Sequence, residues 1–131
     1  MSSSINSLIP AGAALLVIAA CFAASLSSGT DTRAGLWRIP AALSAVFFAA
    51  SLVAAARGGP VGFWPEHVRN DWGNQIFVDL LLCAASAYFL ILPRAKAVGM
   101  RPLLWLVGIA ALGSIGLLAM LSRVLYLEQK A

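Results

Sequence analysis

Apolar residues fall in four blocks, 8–26, 39–56, 76–93 and 103–122, separated by short polar connections. A helix rises about 1.5 Å per residue, so about 20 apolar residues cross a hydrocarbon core of about 30 Å. Each block is near that length. The blocks are rich in Ala and Leu and lack the period-two alternation of a membrane β-barrel. Helices also satisfy their own backbone hydrogen bonds, as lipid demands. The pattern predicts an all-α fold over residues 1–131: one integral membrane domain, a bundle of four transmembrane helices.

Punctuation along the chain sharpens this outline. The first span follows Pro10 and ends in the polar run Ser25–Arg33, which contains Gly29. The second begins near Ile39-Pro40, where a proline is tolerated because first-turn N–H groups have no helical partner. Trp37 and Arg38 before it suit a membrane interface. Ala41, Ala45 and Ala49 then recur every four residues, a smooth face for a close neighbour. The fourth span carries a second small-residue stripe, Ala110, Gly113, Ser114 and Gly116. Pro102 and Trp105 bound it at one end, Arg123 and Tyr126 at the other. Both stripes point to tight packing within the bundle or between copies. Between spans two and three, Val61, Trp64, Val68 and Trp72 follow helical spacing, with Pro65 placed to open a short helix and Gly73 to close it. That segment is expected to lie on the membrane with its tryptophans down, or else to be a plain loop anchored by Trp64 and Trp72.

Composition agrees with lipid as the solvent. The chain is 61% hydrophobic and only 11% charged, against about 25% charged in an average soluble domain. The net charge of +4 is scattered among loop ends, which argues against a nucleic-acid surface. Cys21 and Cys83 both lie in apolar blocks and read as small buried hydrophobes. Ile18-Ala19-Ala20-Cys21 has the look of a lipoprotein processing site, but residues 1–7 contain no Lys or Arg to form the basic leader region. If real, it would leave three spans and a lipid on Cys21. With four straight spans, Arg33, Arg38, Arg94, Lys96 and Arg101 share one side, and Arg57, Arg69, Arg123 and Lys130 the other. The short basic connection 94–102 favours that first side as cytoplasmic, with both termini outside. The Ala-rich helices point to a bacterial cytoplasmic membrane.

Asp79 leads the candidate chemistry. It lies about one turn inside the third span with apolar neighbours, and Cys83 and Ala87 continue its face. A carboxylate there costs a few kcal/mol unless paired, hydrated or protonated. In a straight four-span topology, Arg123 and Arg57 end on the side where Asp79 begins, and Asp79–Arg123 is the preferred ion pair. Glu66, His67 and Asp71 fall on that side too. A Glu66–Asp79 acid/base pair is conceivable, although solvation at the interface explains the same charges. One histidine is too few for a zinc site, and no GxSxG, HExxH, P-loop or Rossmann pattern occurs. No metal or cofactor is expected.

Asn74 and Asp79 on one helix, basic residues ahead of Val98-Gly99-Met100-Arg101, and a last span ending Leu125-Tyr126-Leu127-Glu128 together resemble domain of unknown function 2834. The resemblance to this bacterial group of small multi-helix membrane proteins covers roughly residues 70–130. Ser122-Arg123 and Leu127-Glu128 stand where that family often has a proline and a second basic residue. The resemblance implies membrane placement and no particular reaction. A looser likeness to small integral-membrane terpenoid cyclases implies acidic residues working near the membrane face. Three functions follow as expectations. The first is a structural or accessory membrane protein partnered by the bilayer and by itself or another membrane protein. The second is an enzyme on a lipid or isoprenoid, using Glu66 and Asp79. The third is a small proton- or cation-coupled transporter centred on Asp79.

Overall fold

The computed structural model describes residues 12–19, 21, 22, 25 and 35–131. The chain divides into two compact units, Met1–Arg33 and Ala34–Ala131. In the first, residues 12–19, 21, 22 and 25 are helical (α1) and Leu15, Leu16, Val17 and Ile18 are exposed. The rest of the first apolar block, the lead-in 1–11 and the connection with Arg33 lie outside the described residues.

The second unit holds α2 (Arg38–Gly58), α3 (Phe63–His67), α4 (Asp71–Ala97), α5 (Pro102–Leu112) and α6 (Ser114–Lys130). The described residues contain helices and no strand. Two helices, α2 and α4, are long and apolar enough to cross a membrane, each with a mean hydropathy of 2.1 over its most apolar window. Only 11% and 6% of those windows are buried. A core helix of a water-soluble domain is mostly covered by its own protein, and these are not.

The ends of α4 follow from local chemistry. The Asn70 side chain accepts a hydrogen bond from the Gly73 N–H at 2.9 Å, capping the first turn. Gly73 therefore opens α4 rather than closing the short helix before it, and Trp72 belongs to α4 as well. Glycine is required at 73, because a Cβ there would lie 2.6 Å from the His67 carbonyl oxygen. At the far end, Gly99 adopts φ +73 while its N–H reaches Lys96 O and the Met100 N–H reaches Ala95 O. This is a Schellman stop, and Met100 packs against the core that holds Ala95.

The fourth apolar block is not one helix. Gly113, at φ 58 and ψ −129, ends α5 and begins α6. Such a backbone is open to glycine and strained for any residue with a Cβ. The chain reverses there, so that the Gly116 Cα faces the Gly108 carbonyl with no room for a side chain. Hydropathy registers the block as one apolar run because it carries no record of backbone angles.

Returning antiparallel, α6 becomes the centre of the unit. Ile91 and Ala95 of α4, Ile109 of α5, and Met120 and Val124 of α6 form its core. Ala95, Met120 and Val124 have no exposed surface. Along α2, the Ser44 hydroxyl donates to Ile115 O at 3.0 Å and the Ser122 hydroxyl donates to Trp37 O at 2.9 Å. Two bonds seven residues apart on each helix fix the antiparallel register. The buried positions of α2 are Pro40 and Ser44, with Ala41 half-buried and Ala45 and Ala49 exposed, so the packing face is not the alanine stripe. In the other stripe, Gly113 makes the turn and Gly116 the close approach, while Ala110 and Ser114 are exposed.

Candidate functional site

At the α3 end, aromatic rings hold the short helix to α4. His67 lies 4.8 Å from Phe77, ring centre to ring centre, and Trp64 meets the same ring edge-on at 6.1 Å. Glu66 binds Arg69 at 3.1 Å, both well exposed. Asp71 is exposed in the first turn of α4, where the helix N-terminus favours negative charge. These charged groups share one end of the unit. Trp64 and Trp72 are both exposed, at 52% and 71%.

Asp79 is exposed on α4 and takes part in neither of the ion pairs found among the described residues, Arg69–Glu66 and Arg94–Glu128. Helical spacing puts Gln75 and Asp79 on the face opposite Tyr88, Ile91 and Ala95, which pack inward, while Asn74 is exposed to one side. With Val78 and Leu82 they border an open depression of about 380 Å³. Arg123 is at the other end. Because α6 runs back from Gly113, its last turns lie beside the start of α2 and the end of α4. The expected Asp79–Arg123 pair is thus absent: it assumed a straight fourth span. Arg57, in the last turn of α2, is exposed and also makes no ion pair among the described residues. Eight residues separate Asp79 from the start of α4, a distance of about 12 Å. Glu66 and Asp79 form no joint site, since His67 and Trp64 dock on the Phe77 side of α4 while Asp79 faces away. Cys21 and Cys83 are free and exposed rather than buried.

The opposite end is more densely built. Arg94 grips Glu128 with two bonds, Nε to Oε1 at 2.8 Å and Nη2 to Oε2 at 2.6 Å. Trp37 and Tyr126 meet edge-on at 5.4 Å. Around these rings stand three cations: Arg38 is 5.7 Å from the Trp37 ring centre, and Arg123 and Lys130 are 5.6 and 4.6 Å from that of Tyr126. A hydrogen bond from Lys130 and its charge, with Arg123 adding a smaller pull, hold the Tyr126 phenol below its ordinary value of 10.0.

From this mouth a groove of about 750 Å³ runs between α2 and the α5–α6 hairpin. Ala41, Ala45 and Phe48 form one wall, and Leu112 and Ala119 lie across from them. Ser44 and Ser122 also line it, but their hydroxyls are turned to backbone carbonyls. Trp105 borders the groove and packs against the core as well. Trp37, Arg123 and Tyr126 are sequence candidates that the structure brings together. The groove walls carry no signal in hydropathy, and the glycines and serine of the 112–116 turn are the feature from which they could have been foreseen.

Among the described residues, no three of His, Cys, Asp and Glu gather as a metal would need. Comparison with protein-family models, with curated proteins and with solved structures finds no match to this chain.

Proposed function

We propose that the chain is a small polytopic membrane protein with a structural or accessory role, which binds a membrane partner or further copies of itself through the outward face of α4. One observation carries this reading: Gln75 and Asp79 lie exposed on the unpacked side of a helix apolar enough to span a bilayer. An unpaired carboxylate facing lipid costs about 3 kcal/mol, which a hydrogen-bonding or cationic neighbour removes. The exposed turn at Leu112, Gly113 and Ser114 adds support, since helix ends inside an apolar layer need protein cover. The enzyme alternative draws less support, because Glu66 and His67 are engaged away from Asp79.

In this reading α2 and α4 cross the membrane and α5–α6 is a re-entrant hairpin rather than a fourth span. Eleven residues of α5 reach about 16 Å, half of a core of about 30 Å. The basic residues among those described then divide unequally. Arg38, Arg94, Lys96, Arg101, Arg123 and Lys130 share one side, and Arg57 and Arg69 the other. The positive-inside rule makes the first side, with the Lys130 end of α6, cytoplasmic in a bacterial inner membrane.

Light scattering of gently extracted protein tests the partnership. The parent is expected to run as an assembly heavier than one chain, and Asp79→Leu as a single folded chain. A single chain in both samples would contradict the proposal.

A further inference from the structure

The groove between α2 and the hairpin has an apolar interior and a cationic mouth at the same end. From Trp37 to Phe48 it follows α2 for 11 residues, about 16 Å, the depth of one leaflet of a core about 30 Å thick. Alanines at 41, 45 and 119 leave it width, and Phe48 and Leu112 line its inner part. The serine hydroxyls are spent on carbonyls, so the lining presents little that a polar ligand could use. At the mouth, Arg38, Arg123 and Lys130 surround the Trp37–Tyr126 pair, and none of the three is in an ion pair among the described residues. An acyl chain fits the first feature and an anionic headgroup the second.

We propose that this groove holds one acyl chain of an anionic phospholipid, with its phosphate bound by Arg123, Lys130 and Arg38. Guanidinium groups take phosphate oxygens by paired, charge-assisted hydrogen bonds, with Lys130 adding a compact charge. A zwitterionic lipid brings its own cation to the same place and is bound less well. The site rests on the membrane reading given above, and its location on α2, α5 and α6 keeps it apart from the outward face of α4.

Native mass spectrometry of the full chain tests it, in detergent containing equal amounts of phosphatidylglycerol and phosphatidylcholine with matched chains. The parent is expected to retain phosphatidylglycerol about fivefold over phosphatidylcholine, the effect of one basic residue near an anionic surface. Arg123→Gln should bring the ratio towards one, Lys130→Gln should lower it partway, and Ala45→Leu should reduce retention of both lipids by narrowing the groove. Circular dichroism verifies that each variant keeps its helix content. Equal retention by the parent, or a preference that survives both charge removals, overturns the lipid site. Release of the chain from membranes by alkaline carbonate would instead overturn the membrane reading itself.

Discussion

Gly116→Val is expected to open the α5–α6 hairpin and to lower the unfolding free energy by about 3 kcal/mol, the upper range for overpacking a filled interior. A Cβ at 116 would lie 2.7 Å from the Gly108 carbonyl oxygen and 2.9 Å from the Ile109 nitrogen. Both are backbone atoms, so neither can swing aside as a flexible side chain does. The helices would have to separate, and the contacts of Ile109 and Trp105 with Met120 and Val124 would loosen with them. Gly108 supplies the control. A Cβ there meets nothing within 4 Å, so Gly108→Ala should stay within about 0.5 kcal/mol of the parent. Unfolding by SDS titration in mixed micelles, followed by tryptophan fluorescence, compares the two. Equal losses would mean that the close approach at 116 does not hold the hairpin.

The second large effect is expected at Met120, the fully buried side chain in the middle of α6. In water, truncating a buried methionine loses both transfer energy and packing. In lipid the transfer part largely cancels, because the hydrocarbon is as apolar as the protein interior. What remains is the cavity, so Met120→Ala should cost about 2 kcal/mol, the lower end for such a truncation. Leu103→Ala, at a side chain 72% exposed, removes a similar volume without a cavity and should change stability by less than about 0.5 kcal/mol. The same SDS titration measures both, and a cost at Leu103 matching that at Met120 would contradict the assignment of the core.

Much of α2 and α4 was legible as unbroken apolar runs flanked by Trp, Pro, Asn and Gly. Hydropathy measures solvent preference, and over these two segments solvent preference and helix coincide. The break at Gly113 was not legible for the same reason: glycine is frequent within membrane helices, and only its positive φ distinguishes a turn from a smooth face. That one angle propagates. It moves Arg123 from the end near Asp79 to the end near Trp37, removes the expected ion pair, and joins Trp37 to Tyr126 across 5.4 Å. Asp79 itself was legible as an isolated carboxylate in an apolar segment. Its outward direction was not, because facing depends on which side of α4 receives α6.

The hairpin is tested most directly by the side of the membrane on which α6 ends. Single cysteines at Pro60, Val98 and Gln129, in a chain whose Cys21 and Cys83 are replaced by serine, can be labelled in sealed vesicles with an impermeant maleimide. Gln129→Cys and Val98→Cys labelled from one side, with Pro60→Cys labelled from the other, is the result expected of a re-entrant hairpin. Gln129→Cys labelled from the same side as Pro60→Cys would mean that residues 102–122 cross the membrane as a fourth span, and would contradict it.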